Sequence, residues 1–157
     1  VLAFNLFSHN SPVGKDGYNE EETKMVEETR KIFGIPALRM TPTCVRVPVP
    51  RAHSEAVVAS FARPLSVEEA RKLLAQAPGV RVVDEPEKNL FPMPKDASGD
   101  LDVLVGRIRA VPGDERSLAL FVSGDQLLKG AAWNAVQIAE ELAKLGGLPV
   151  PVAPPRG

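Results

Sequence analysis

Residues 102 to 123 read "DVLVGRIRAVPGDERSLALFVS". Two aliphatic, β-branched stretches flank the turn residues Pro112-Gly113-Asp114, and this pattern constrains the fold more than any other in the chain. Short apolar runs bounded by such residues read as strands, 102–111 and 117–123. No helix separates them, so the chain does not follow a strict relay in which every strand is followed by a helix. Elsewhere strands and helices are interspersed. The mixture predicts an α+β class, a mixed sheet covered by helices.

The remaining elements follow from periodicity and caps. "VLAFNLF" (1–7) is apolar and closed by Ser8-His9-Asn10-Ser11-Pro12 and Gly14, and is expected to be a buried strand. Asn19 with Glu22 three residues later forms an N-cap pattern, and Glu20, Glu21 and Glu22 lie where a helix dipole favours anions. Met25, Val26, Thr29, Ile32 and Phe33 make one helical face, which Gly34 and Pro36 end. "CVRVPV" (44–49) alternates: Val45, Val47 and Val49 on one side, Cys44, Arg46 and Pro48 on the other. Pro48 lacks an N–H, so it marks a sheet edge or a strand end. A strand is expected over 55–62 and a shorter one over 80–84. Between them, Ser66 and Glu69 open a helix that runs to about Gln76 and stops at Pro78-Gly79. Residues 86–100, with three prolines, read as a loop or extended arm. "DQLLKGAAWNAVQIAEELAKLGG" predicts a helix of about 20 residues ending at Gly146-Gly147, before a proline-rich tail. No Gly-rich phosphate loop stands between a strand and a helix, so a Rossmann domain is not expected in this segment.

Composition removes several classes of function. The 157 residues suffice for one domain with a real core. A formal net charge of -1 argues against a nucleic-acid partner held by bulk electrostatics. No apolar run approaches the roughly 20 residues of a membrane span. Nothing at the start resembles a signal peptide. The single cysteine cannot form an internal disulfide, which fits a reducing cytoplasm. One cysteine and two histidines leave no Cys/His zinc site. The chain begins inside an apolar run without a methionine, so it is expected to be the C-terminal portion of a longer protein.

Six positions are weighed for a chemical role. Arg46 lies off the valine side, and its guanidinium can fork onto a carboxylate through two parallel hydrogen bonds. It can equally be a strand arginine paired with a glutamate or lying in solvent. His53 follows two prolines and Ala52 and is expected in a loop near a sheet end. An imidazole, with its ordinary pKa of about 6.5, suits proton shuttling there, and a surface or capping role fits as well. Glu21 and Lys24 share a helix face, offering an acceptor to an ammonium and a point charge to an anion, or only a solvated ion-pair face. Cys44 sits in a strand beside valines, which suits packing better than nucleophilic attack, and is expected to react slowly with thiol reagents. Gly130, inside an otherwise good helix, costs about 1 kcal/mol relative to Ala, which suggests either tight packing or a ligand near the backbone.

"NEEETKMVEETRKI", "TCVRVPVPRAHSE", "PKDASGDLDVLVGRIR" and "SGDQLLKGAAWNAVQIAE" occur in this order over nearly the whole chain. Together they resemble the C-terminal catalytic and dimerisation domain of bacterial aspartate-semialdehyde dehydrogenase. The resemblance implies the α+β fold of the C-terminal domain of glyceraldehyde-3-phosphate dehydrogenase, with residues 1–157 forming a substrate-binding and dimerisation domain. It implies NADPH-dependent reduction of L-aspartyl-4-phosphate to L-aspartate 4-semialdehyde and phosphate through a cysteine thioester, in lysine, methionine and threonine biosynthesis.

By position, Arg46 would bind the substrate α-carboxylate and Glu21 its amine, Lys24 would hold the phosphate, and His53 would be the acid/base. Lys129, Gly130 and Asn134 would lie nearest the nicotinamide end of NADP. The family's nucleophilic cysteine belongs to an Asn-Cys motif that is not in this sequence, and Cys44 is not in its position. The chain by itself is therefore expected to be inactive. A homodimer or higher homo-oligomer in the cytoplasm is expected, with helices on one face of the sheet and a partner subunit near the other. A related acyl-phosphate reductase, such as the N-acetylglutamyl-phosphate enzyme, and a non-catalytic dimerisation module are the rival readings.

Overall fold

Asn19 and Glu22 close the first helix in the way their spacing requires. The side chain of Asn19 accepts from the Glu22 N–H at 3.0 Å, and the Glu22 carboxylate accepts from the Asn19 N–H at 3.0 Å. This capping box satisfies two of the donors that every helix start leaves open. α1 runs Glu20–Phe33 and ends at Gly34, whose φ of 65° is the left-handed conformation that costs glycine little. The computed structural model describes residues 3–146. It consists of two compact units, one ending at Pro50 and one starting at Arg51.

In the first unit, β1 (Phe7–Ser8) pairs antiparallel with β2 (Val45–Arg46), Phe7 opposite Arg46 and Ser8 opposite Val45. The expected buried strand over 1–7 is not what forms. Phe4 and Leu6 are exposed, and Val1 and Leu2 lie outside the described residues. β2 is equally short, because Pro48 has no N–H to offer and the Val49 N–H turns back to the Val47 carbonyl at 2.8 Å. With so short a ladder, the sequence alternation of 44–49 does not bury a valine face: Val45 and Val47 are both exposed.

The second unit is built on a four-stranded sheet in the order β3-β6-β5-β4. The strands are β3 (His53–Ser60), β4 (Val80–Val82), β5 (Val103–Val111) and β6 (Asp114–Gly124). β5 and β6 form the hairpin expected across Pro112-Gly113. β3 is antiparallel to β6, and β4 is parallel to β5, so the sheet is mixed. α2 (Val67–Gln76) opens on Ser66, whose hydroxyl accepts from the Glu69 N–H at 3.1 Å. It packs on one face of the sheet. Ala70 meets Val105, Ile108 and Leu118, with Leu74, Val80, Val82, Leu120 and Val122 around them. Along β4 and β6 these are alternate residues, as a sheet with one covered face demands, and on β5 an irregularity between Gly106 and Arg109 brings Ile108 to the same side as Val105.

Part of the other face is covered by the segment after β4. The expected loop or arm over 86–100 carries a 3₁₀ turn (Pro86–Lys88) and a single helical turn, α3 (Pro94–Ala97). Ala97 and Ala52 pack on Leu104, with Val83 beside them. The approach is closest at Gly106, where a Cβ would stand 2.0 Å from the Val83 carbonyl oxygen and 2.6 Å from Pro92. Across β3 and β6 that face carries mostly small residues, several of them polar, with Phe121 opposite Ala56 as the large exception. Ser54 pairs with Ser123, Val58 lies opposite Ala119, and Ser60 pairs with Ser117. Val58 remains 66% exposed.

The final helix is not uniform. Residues Leu128–Ala132 form a π turn before α4 (Trp133–Lys144). The Gly130 N–H reaches the Asp125 carbonyl and the Ala132 N–H reaches the Leu127 carbonyl, both five residues back. Gly147 and the proline-rich tail lie outside the described residues.

Candidate active site

In the first unit the candidate substrate-binding groups stand on α1 and β2, and Glu22 joins these two elements. Beyond its capping bond, its carboxylate accepts from the Cys44 N–H at 2.8 Å. Asn19 and Glu22 are both buried. The hydrogen bonds from Asn19 and then Cys44 hold the Glu22 carboxyl below its usual range, against the opposing effect of burial. The link is two residues from Arg46 in sequence and adjoins Glu21, so the chain positions both through one buried anion. Cys44 is half-buried, its sulfur 3.3 Å from that of Met25.

Arg46 itself is exposed and forms no ion pair among the described residues. Its guanidinium donates to Nε2 of His9 at 2.8 Å. An arginine can only donate, so Nε2 is the acceptor in this contact; Nδ1 lies 3.1 Å from the Ser11 hydroxyl and 3.4 Å from the Ser11 N–H. Lys24 and Glu21 pair with each other at 3.6 Å on the helix surface.

In the second unit His53 opens β3 opposite Gly124, rather than lying in a loop. By strand alternation it belongs to the same side as Glu55 and Val57, the side on which α2 packs. Its ring has no hydrogen-bond partner among the described residues, but its backbone is held. Arg51 pairs with Asp125 at 2.6 Å, the Ala52 N–H donates to Oε1 of Gln126 at 2.9 Å, and the Ser123 hydroxyl donates to the His53 carbonyl at 3.1 Å. Ala52 has φ of 74°, unusual for a residue with a Cβ.

Asp125 is fully buried. Burial alone would raise its carboxyl pKa, yet donors from Gly99, Arg51, Leu127 and Leu128 outweigh that and hold it at about 2. The same residue therefore anchors Arg51 and starts the π turn.

Of the three candidate cofactor contacts, Gly130 and Asn134 are exposed, four residues apart along the turn and helix. Lys129 is half-buried and its ammonium donates to Gln137 at 2.6 Å. A Cβ at Gly79 would stand 3.2 Å from that ammonium, so the lysine packs against this glycine. Among the described residues no group of His, Cys, Asp and Glu could hold a metal ion, and no helix is long and apolar enough to cross a membrane.

Residues 1–129 match the family model described as semialdehyde dehydrogenase, dimerisation domain. The chain belongs to this semialdehyde dehydrogenase family. The aspartate-semialdehyde dehydrogenase of Synechocystis sp. is 59% identical over 147 residues, covering 94% of this chain and 44% of that relative. That of Prochlorococcus marinus is 54% identical over 141 residues, covering 90% and 41%. Among solved structures, aspartate semialdehyde dehydrogenase II from Vibrio cholerae, complexed with ASA, aligns with a TM-score of 0.84 at 41% identity, over 90% of this chain and 41% of that one. The chain spans less than half the length of these relatives. The α+β class with a mixed sheet stands, in the glyceraldehyde-3-phosphate dehydrogenase-like form of the semialdehyde dehydrogenase C-terminal domain.

Within this semialdehyde dehydrogenase domain, several residues that matter escape the sequence reading. Glu22 is legible as a cap, but not as the tie to Cys44. His9 gives no signal as the partner of Arg46. Arg51, Gln126 and Ser123 have none either, because their partners lie 70 or more residues away. Asp125 had a local cue: an Asp directly before a helical run is a favoured cap.

Proposed function

We propose that this chain is the substrate-holding and dimerising part of an enzyme that reduces L-aspartyl-4-phosphate with NADPH. The products are L-aspartate 4-semialdehyde and phosphate. The reaction passes through a thioester on a cysteine supplied by the rest of the protein, in the cytoplasmic route to lysine, methionine and threonine. The observation that carries this reading is the buried Glu22 carboxylate, which binds α1 to β2 and so joins the elements that bear Glu21, Lys24 and Arg46. These three are the anion, cation and fork that an amino-acid acyl phosphate needs.

Arg46 binds the α-carboxylate, its fork being exposed and engaged, among the described residues, by the His9 ring rather than by a carboxylate. Glu21 accepts from the substrate ammonium and Lys24 holds the phosphate. Their mutual pair is exposed and worth about 0–1 kcal/mol, so exchanging it for substrate ions costs little. His53 moves the proton of the thiol and of the tetrahedral adduct. Cys44 stays outside the chemistry, half-buried against Met25.

NADPH supplies the hydride. The exposed backbone at Gly130 and the exposed amide of Asn134 suit its nicotinamide end. Lys129, whose ammonium donates to Gln137, is the third candidate contact there. The face of β3 and β6 that carries Ser54, Val58 and Ser60 meets a second copy of the chain.

The test uses the full-length protein assayed with L-aspartate 4-semialdehyde, phosphate and NADP in the oxidative direction. Arg46→Ala should mainly raise the KM for the semialdehyde, and His53→Ala should lower kcat on the order of 10² to 10⁴-fold. Turnover of N-acetylglutamate semialdehyde instead, or of neither aldehyde, would replace this reading by one of the two rivals.

A further inference from the structure

We propose that Gln126, supported by Asp125, is the positioning residue that aims His53. This inference rests on the reading of His53 as the acid/base. The ring of His53 has no hydrogen bond of its own among the described residues, so its direction follows from its backbone. The chain is held from the segment 123–126 at three successive residues, at Arg51 through its side chain and at Ala52 and His53 through their backbone, and the Arg51 carbonyl also accepts from the Ser98 hydroxyl at 3.4 Å. Arg51 is paired to the buried Asp125 at 2.6 Å, the Ala52 N–H donates to Gln126 Oε1 at 2.9 Å, and the His53 carbonyl accepts from the Ser123 hydroxyl at 3.1 Å. Ser54 donates in turn to Ser123 at 3.0 Å.

The middle tie is the informative one. Ala52 holds φ of 74° and is buried against Ala97 and Leu104. A residue with a Cβ does not choose this conformation by itself. An acceptor placed for its N–H helps to keep the turn, and with it the angle at which the chain enters β3 at His53. Gln126 is half-buried and its amide reaches Ala52 from the chain just beyond β6, the strand paired with β3. Asp125, next to it, accepts from Gly99, Leu127 and Leu128 as well as Arg51, and its own carbonyl starts the π turn at Gly130. One pair of adjacent residues thus sets both the entry to His53 and the start of the turn that carries Gly130. A general base misplaced by about 1 Å can lose on the order of 10²-fold in rate.

The experiment compares full-length wild type, Gln126→Ala, Ala52→Gly/Gln126→Ala and His53→Ala. Gln126→Ala should lower kcat by about 10 to 100-fold with the KM for semialdehyde changed less than about threefold. Hydrogen exchange at the Ala52 amide should accelerate in the same variant. Adding Ala52→Gly should recover most of the lost turnover, because glycine adopts the positive φ without an acceptor to hold it. If Gln126→Ala does not fold, the double variant alone decides, by showing turnover near wild type or not. His53→Ala with a large loss of kcat alongside an unaffected Gln126→Ala overturns the inference and leaves the reading of His53 standing. A loss in Gln126→Ala that glycine does not repair overturns it too, since Gln126 then acts on something other than the Ala52 turn. If His53→Ala keeps its turnover, the reading of His53 itself fails and the positioning role falls with it.

Discussion

Asp125 shows how one buried residue gains its stability from the ring of donors around it. Its carboxylate meets four donors in place of water, which is why its pKa lies at about 2 despite burial. A carboxyl whose folded pKa is depressed contributes stability that is fully present above its ordinary value of 3.8 and is lost as pH falls toward 2. Asp125→Asn keeps the size but points an amide donor at other donors. The variant should therefore melt well below wild type at pH 7, and the gap in Tm should shrink steadily between pH 4 and pH 2. A gap independent of pH would show that shape, not charge, is what Asp125 supplies. Gly106 is the complementary case of pure space. A Cβ there meets a backbone carbonyl at 2.0 Å, and backbone cannot swing aside as a side-chain tip can. Gly106→Ala should cost about 1–3 kcal/mol in urea unfolding, through overpacking.

At the scale of elements, what the sequence discloses follows the reach of each interaction. The boundaries of α1 and α2 were legible because Asn19–Glu22 and Ser66–Glu69 act over three residues. The hairpin of β5 and β6 was legible because Pro112-Gly113 sits inside it. β1 was misread as buried because apolar Phe4 and Leu6 look like core from sequence alone, and burial depends on what the rest of the protein brings. The tie of Glu22 to Cys44 and that of Arg51 to Asp125 were invisible, since nothing local encodes a partner so distant. Gly130 lies between these extremes. Its cost in a helix was readable and its cause is the π turn, a feature often found at functional sites. A Cβ at Gly130 would meet only Gln126 Cβ, at an ordinary 3.6 Å. Gly130→Ala should therefore leave stability unchanged or raise it by up to about 1 kcal/mol. If the cofactor approaches this backbone, the same variant should raise the KM for NADP in the full-length enzyme. An unchanged KM would assign the glycine to the turn alone.

At the scale of the whole molecule, the sheet of the second unit has one face committed and the other only partly so. α2 covers the valines of β4, β5 and β6 on one side. On the other, α3 and its flanking residues cover Leu104 and Gly106 but not β3, where Ser54, Ala56, Val58 and Ser60 are exposed. The serines there are paired in register with Ser123 and Ser117, so their hydroxyls are satisfied within the sheet. A face of mostly small, internally satisfied residues, with one exposed valine and the half-buried Phe121 opposite Ala56, can meet its own copy without stranding a polar group. In a two-fold interface each substitution acts twice. Val58→Lys would replace two buried valines, each worth about 1.5–3 kcal/mol, by two charges that must be desolvated. The dimer should weaken by at least about 10²-fold, every 1.4 kcal/mol being a factor of ten. Light scattering of the full-length protein at tens of micromolar should show a dimer for wild type and a monomer for Val58→Lys, with the same circular dichroism in both. A variant that stays dimeric would move the interface off β3, and the exposure of Val58 would need another explanation.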